Sequence, residues 1–313
     1  MSSPHRIVSL IASGTEIVAA LGFGDELVGR SHECDFPTWV ERLPPCSEPR
    51  IDIHASSGEI DRQVRATVTD AISVYRVFTD ELNRLQPTHI VTQSQCEVCA
   101  VSLKDVRQAV CELVGSQPEI IALEPMDLKD IWNDIQMTAA ALDAPERGTA
   151  LVADCLARLE HVRSSVAGRP GTPTVVCLEW LEPLMSAGNW VPELVELAGG
   201  EPVLCEAGKH SPYFTWKDLV AADPGVIAIM PCGFDIPRTI SELGVLFDRP
   251  EWYELRAVRQ GRVYITDGNQ YFNRPGPRVV ESAEILAELL HDPGRNLPGT
   301  RHHKTGWLRL EEC

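Results

Sequence analysis

Residues 143–168 read DAPERGTALVADCLARLEHVRSSVAG, and this stretch decides the fold. Asp143-Ala-Pro-Glu146 carries the marks of a helix start: Asp as N-cap, Pro near the first turn and Glu reaching back. Leu151, Cys155, Leu159, Val162 and Val166 then fall on one apolar stripe, which Gly168 ends. The spacing predicts one uninterrupted helix of about 22 residues, roughly 33 Å long at the standard rise. That is enough to bridge two lobes. Arg169-Pro-Gly-Thr-Pro173 follows with linker composition, and Leu128, Ile131, Ile135 and Leu142 precede it at helical spacing.

On either side, strand-like and helix-like segments alternate, which argues for an α/β protein with parallel sheet. Upstream, strands are expected at Arg6–Ile11, Leu27–Ser31, His89–Thr92 and Glu119–Leu123. Ser13-Gly-Thr-Glu16 reads as a capping box, Ser56-x-x-Glu59 opens a helix through about Ala71, and Ser102-x-x-Asp105 caps another. Downstream, strands are expected at Thr174–Trp180, Val226–Met230 and Arg262–Thr266. Helices are expected at Val191–Leu197, from Thr215-x-x-Asp218, at Pro237–Leu246, Glu251–Val258 and Pro275–Leu290. The resulting organisation is an N-terminal α/β lobe over 1–125, a helical linker over 126–170, a C-terminal α/β lobe over 171–292 and a tail over 293–313. The tail is polar and expected to be loosely ordered, with Trp307 and Leu308 as its docking residues and His302-His303 as a solvated pair.

The length of 313 residues allows two domains and a large buried core without disulfide staples. A net charge of −17 argues against nucleic acid or an anionic membrane as partner, because both call for a basic face. No apolar run approaches a membrane span. The start, Met1-Ser-Ser-Pro-His-Arg6, lacks the pattern of a secretory signal. The expected location is therefore cytoplasmic. Ten cysteines in such a chain read as buried small hydrophobes, metal ligands or reactive thiols.

Open parallel sheets bind ligands at the carboxyl ends of their strands. The segments placed there are His32-Glu-Cys34, Gln93-Ser-Gln-Cys96-Glu-Val-Cys99, Gly188-Asn-Trp190, Pro231-Cys232-Gly-Phe234 and Asp267-Gly-Asn-Gln-Tyr271-Phe272-Asn-Arg274. Two chemistries follow. Cys96 and Cys99 form a Cys-x-x-Cys pair that, with Cys34 and either Cys232 or His32, would make a thiolate site for zinc or an iron–sulfur cluster. The plainer alternative is thiols packing beneath a cleft. Cys46, Cys111, Cys155, Cys177 and Cys205 fall away from this face, and core packing is the default for most of them. The aromatics offer flat apolar surfaces to a small-molecule ligand, with Trp190 and Tyr271 the better contacts and Phe272 the better core residue. Phosphate-loop, nucleophile-elbow, dinucleotide and zinc-protease motifs are absent. Glu179, Glu182 and Glu193 could pair as acids, but nothing in their spacing favours that over a solvated edge; no catalytic residue is assigned, and the chain leans towards a binding protein.

With these segments in place the chain resembles the ABC-type substrate-binding proteins whose two lobes are joined by a single helix, and most closely their cobalamin-binding branch. The resemblance rests on Ser9-Leu-Ile-Ala-Ser-Gly-Thr-Glu16 with Leu21-Gly22, Gln86-Pro-Thr-His-Ile-Val91, Ser186-Ala-Gly188 with Leu197-Ala-Gly-Gly200, and Arg274-Pro-Gly-Pro-Arg278. It implies two Rossmann-like lobes with parallel-rich sheets and a binding cleft between them. The ligand it implies is a corrinoid held near aromatic faces. Tyr271 and His32 fall where such aromatics lie, and Gln93 replaces another. With the strand-end residues read above, the candidate ligand set is His32, Gln93, Trp190, Phe234, Tyr271 and Phe272; Cys34, Cys96, Cys99 and Cys232, which would line or ligate the site, look like a subgroup feature rather than a general property of such receptors. The missing secretory pattern counts against the membrane ABC importer that the resemblance implies as partner. The expected function is binding of a cobalamin-like or other metal-bearing ligand. The alternative is a cytosolic metalloprotein with a redox, sulfur or metal-delivery role. Candidate cofactors are cobalamin, zinc or an iron–sulfur cluster.

Overall fold

Ile7–Ser9 (β1) is completely buried, and its apolar character on both faces suits the middle of a parallel sheet. In the computed structural model it lies between Leu27–Arg30 (β2) and His89–Gln93 (β5). Glu119–Leu123 (β6) completes a four-stranded, all-parallel sheet in the order β2-β1-β5-β6. The structure describes residues 5–69, 74–94, 103–113, 115–291 and 300–313. The chain divides into two compact units. The first comprises residues 1–55, 59–125 and 129–154, and the second 56–58, 126–128 and 155–313.

The helices up to residue 141 are Ala12–Ala20 (α1), Ser57–Thr69 (α2), Thr79–Leu85 (α3), Leu103–Cys111 (α4) and Leu128–Ala141 (α5), all in the first unit except for the opening residues of α2 and α5, which count with the second. A short antiparallel ribbon, Ser47–Pro49 (β3) with Tyr75–Val77 (β4), stands apart from the main sheet. Val8, Leu10, Cys46, Tyr75, Leu82, Leu85, Ile90 and Val106 make one apolar cluster. Ser13-Gly-Thr-Glu16 does not cap its helix. The helix begins one residue earlier, at Ala12, and the residue before it, Ile11, makes no side-chain cap.

Pro145–Val166 (α6) is a single helix of 22 residues, and the boundary between the two units falls inside it. Asp143 differs from its expected role. Its φ is +56°, and the Ala144 amide donates to the Ala139 carbonyl at 2.8 Å. It is thus the left-handed stop of α5 rather than the N-cap of α6, a conformation Asp tolerates better than most residues.

The second unit is built on Thr174–Leu181 (β7), Leu184–Ser186 (β8), Glu201–Pro202 (β9), Val226–Ile229 (β10), Val263–Thr266 (β11) and Trp307–Arg309 (β12). The order is β12-β11-β10-β7-β8, with β9 also on β7. The centre, β11-β10-β7, is parallel, and the edge strands β8 and β12 are antiparallel. The helices are Val191–Leu197 (α7), Trp216–Ala222 (α8), Ile236–Glu242 (α9), Gly244–Phe247 (α10), Arg256–Arg259 (α11) and Val279–Leu290 (α12). Thr215 and Asp218 form the expected reciprocal cap of α8. Val176, Leu178, Ile227, Ile229, Leu246, Trp252 and Ile265 pack as the core. Among the described residues no helix is long and apolar enough to cross a membrane.

Candidate functional site

In the first unit, the strand ends gather small polar groups that are hydrogen-bonded among themselves. The Thr15 hydroxyl donates to the Cys34 sulfur at 3.0 Å, and Cys34 is 1% exposed. His32 follows β2. Its Nδ1 lies 2.9 Å from the Ser47 hydroxyl, and its ring packs against Tyr75 at 5.3 Å. Burial, helped by the Arg30 charge, lowers the imidazole pKa to about 4, so His32 is neutral at pH 7. Gln93 ends β5 and is buried. Cys96 and Cys99 lie outside the described residues.

The second unit carries a more elaborate face. After β11 the backbone winds through a tight turn at Gly268–Phe272, with the Asp267 carboxylate accepting the Gln270 amide at 2.7 Å. This loop is locked to the one after β10. The Asn269 amide donates to the Phe234 carbonyl at 3.0 Å, and the Asn273 side chain donates to the carbonyls of Met230 (3.3 Å) and Gly268 (2.8 Å). A methyl at Gly268 would run into the Pro231 carbonyl oxygen, with Met230 carbonyl carbon 2.7 Å away, so the two backbones touch where only glycine fits.

Two buried arginines brace this loop from within. Arg274 donates to the Asn269 side chain at 3.0 Å, and Arg278 donates to the Gln270 side chain at 2.9 Å. The Arg278 guanidinium also sits 4.8 Å from the centroid of the Tyr271 ring and pairs with Glu281 at 3.3 Å. Tyr271 is half-buried, and burial raises its hydroxyl pKa while Arg278 opposes the rise. Its neighbour Phe272 is 1% exposed and packs inward, so its ring belongs to the core, and its carbonyl accepts the Trp190 indole N–H at 3.1 Å. Trp190 is buried too. Phe234 packs against Trp180 at 5.3 Å and beneath Arg238 at 4.8 Å.

Glu179 stands at the end of β7 and is not a solvated edge residue. Ser211 donates to its carboxylate at 2.6 Å, and the Gly188 amide donates to the Ser211 hydroxyl at 3.0 Å. Burial raises the Glu179 pKa to about 7, with those donors holding it down. Gly188 has no room for a side chain, because a Cβ would lie 2.5 Å from the Lys209 carbonyl oxygen and 2.8 Å from the Ser211 nitrogen. The segment 208–212 is therefore drawn tightly onto the β7 end. Glu193 is likewise engaged, accepting the Leu128 amide at 2.8 Å.

The cysteines do not assemble as a metal site among the described residues, where no group of three His, Cys, Asp or Glu side chains is placed to hold an ion. Cys34 is spoken for by a hydroxyl, and Cys232 is half-buried in the second unit. Cys46, Cys155 and Cys177 are buried, whereas Cys111 is exposed and Cys205 half-buried. Burial pushes the Cys46 thiol up to about 12, so it stays protonated.

The tail corrects a second expectation. His302 is not solvated: it is 5% exposed, and its Nε2 lies 2.9 Å from the Glu284 carboxylate. Glu288 accepts the backbone amides of Arg301 (2.7 Å) and His302 (3.1 Å) and the Trp307 indole N–H (2.8 Å). The segment from 300 onwards is docked by two carboxylates of α12, and β12 joins the sheet.

The family model of the periplasmic binding proteins matches residues 7–270. The chain belongs to that family. A vitamin B12-binding protein of Vibrio vulnificus is 24% identical over 285 residues, covering 91% of this chain and 89% of its own. The periplasmic heme-binding protein RhuT from Roseiflexus has the same fold, with a TM-score of 0.69 at 23% identity over 93% of this chain and 99% of its own. So does the periplasmic vitamin B12-binding protein BtuF of Vibrio cholerae, with a TM-score of 0.65 at 18% identity over 92% of this chain and 97% of its own. These findings overturn the cytoplasmic expectation. A family of periplasmic binding proteins with periplasmic structural relatives points outside the cytoplasm, and a short non-apolar start is too weak a basis for the opposite view. They do not favour the cytosolic metalloprotein, and neither metal binding nor a cysteine cluster finds support.

The Gly268–Phe272 turn, the Glu179–Ser211 bond and the docked tail escaped the sequence reading. The signals that would have pointed to them are Asp267 three residues before Gln270, a glycine wedged after Ala187, and two glutamates one helical turn apart on α12.

Proposed function

We propose that this periplasmic binding protein takes up a flat, metal-centred macrocycle, a cobalamin-like corrinoid or a porphyrin, and hands it to a membrane importer. The observation that carries this reading is the loop after β11. It offers a half-buried Tyr271 whose ring is backed by the Arg278 guanidinium and whose backbone is braced by Arg274 and Asn273. A rigid aromatic of this kind suits a large flat apolar ligand, because little conformational entropy is lost when the ligand settles on it. Relatives named for vitamin B12 and for heme support the same ligand class. Trp190 and Phe234 are the further proposed contacts in this unit; in the other unit His32 and Gln93 are proposed on their own account, the neutral imidazole of His32 being the form suited to meeting a metal centre.

The test is an absorbance titration of the full chain with cyanocobalamin, dicyanocobinamide and hemin in separate arms. Saturable spectral change with one of them at micromolar concentration, weakened about tenfold or more by Tyr271→Ala, is expected. No change with any of the three up to high micromolar concentration refutes the reading.

A further inference from the structure

Tyr271 is touched by a second ring that comes from the far end of the chain. The imidazole of His302 meets it edge to face, with centroids 6.1 Å apart and planes at 76°. His302 is in turn fixed in place. Its Nε2 is bonded to Glu284, Glu284 is bonded to Arg158 of α6 at 2.8 Å, and the His302 amide is bonded to Glu288. Arg301 lies 3.6 Å from the same Glu284 carboxylate. The Trp307 ring, three residues after Lys304, closes over His303 at 4.8 Å and ties the segment to β11 through Tyr264 at 5.6 Å. All of these groups belong to the second unit. A chain of bonds thus runs from α6 through α12 and the C-terminal segment to the aromatic side chain of the ligand loop.

We infer that His302 is a positioning residue for Tyr271, so that the docked C-terminal segment sets the orientation of the tyrosine ring and with it the affinity for the ligand. The inference rests on the reading of Tyr271 as a ligand contact for its second half only; the ring's orientation is a property of the free protein. An exposed tyrosine at a loop would sample several rotamers. Here the Arg278 guanidinium and the His302 edge leave its ring confined before any ligand arrives. Such pre-organisation favours tight binding, because the ordering cost is met in folding.

The experiment uses the full chain labelled with 3-fluorotyrosine. The five tyrosines give five fluorine resonances, and Tyr271→Phe identifies that of Tyr271. Two variants separate the imidazole's ring contact from its docking bond. His302→Gln retains a partner for Glu284 but loses the ring, and His302→Phe retains a ring but loses the bond. The expected result is a shifted and broadened Tyr271 resonance in His302→Gln, return towards the wild-type position in His302→Phe, and an unmoved Tyr75 resonance in both. With whichever of cyanocobalamin, dicyanocobinamide or hemin the wild type binds, His302→Gln raises Kd roughly three- to tenfold, the worth of one edge-to-face pair, and adds nothing in a Tyr271→Ala background. A Tyr271 resonance unchanged in His302→Gln overturns the positioning role. A shifted resonance with unchanged Kd overturns its influence on affinity. If the wild type binds none of the three macrocycles, the functional reading fails, and the fluorine spectrum alone decides whether His302 orients Tyr271.

Discussion

Glu284→Gln is the sharpest stability test of the docked C-terminal segment. Glutamine is close in shape to a protonated glutamic acid, so the substitution removes the charge and keeps the volume. Burial alone would raise the Glu284 pKa, but hydrogen bonds from His302 and Arg158 and the charges on both more than offset it, and the value falls from 4.5 to about 2. A drop of that size corresponds to about 3 kcal/mol at 1.36 kcal/mol per unit. The side chain is 21% exposed, so solvent screening trims this only in part. The folded state binds the proton less tightly than the unfolded chain. The stabilisation is therefore complete above pH 4.5 and is lost as the pH falls from there towards 2. At roughly 2–4 °C per kcal/mol, Glu284→Gln should lower Tm by about 6–12 °C at pH 7. By pH 3 the gap between variant and wild type should have narrowed to less than half. Differential scanning calorimetry at pH 7, 5, 4 and 3 measures it. A gap that is the same at pH 3 and pH 7, or smaller than about 1 °C at pH 7, would refute the argument that His302 and Arg158 act on an ionised Glu284.

Three further outcomes follow from the geometry. Asp134 is buried, which raises its pKa to about 7 although the Glu124 amide donates to both its oxygens at 3.2 and 3.4 Å. Here the folded state holds the proton more tightly, so stability falls as pH rises from about 4 to 7, and Asp134→Asn should stabilise by about 1–3 kcal/mol at pH 8 but not at pH 4, read as Tm across that range. Gly268→Ala should cost about 1–3 kcal/mol by forcing the β10 and β11 loops apart, read by urea unfolding, with a loss of near-ultraviolet dichroism from the neighbouring aromatics. Thr215→Ala removes the reciprocal cap of α8 and should cost about 1 kcal/mol in the same unfolding assay, with Thr215→Ser recovering most of it.

The fold was legible because its signals are local. α7 was expected at Val191–Leu197 and lies there, since Pro192 suits the first turn and Gly199-Gly200 cannot continue it. The parallel strands β1, β5 and β10 are short runs buried on both faces, which leaves a continuous apolar imprint. The β3–β4 ribbon left none: Ser47-Glu-Pro49 and Tyr75-Arg-Val77 pair across 28 residues, and no local pattern announces such a partner. The misread Asp143 shows the limit of cap rules, because the same side chain suits either end of a helix and only the backbone angle decides. Among the described residues, the loops after β2, β10 and β11 lie where the alternation puts them, but what their residues do there depends on distant partners. Glu179 reads as surface in the sequence but is bonded to Ser211, 32 residues on, and His302 reads as solvated but is held by Glu284 and Glu288 of α12. The Cys96-x-x-Cys99 spacing lies outside the described residues, and Cys34 is buried against the Thr15 hydroxyl.

The antiparallel β12 has a protective consequence for the second sheet. A parallel strand at a sheet's margin leaves a row of amides and carbonyls that any passing chain can zip onto. β11 would be that margin, and residues 307–309 shield it while being too short themselves to template further growth. Trimming the polypeptide just before Trp307 would bare a hydrophobic seam, and the shortened protein should self-associate on standing where the intact one stays dispersed.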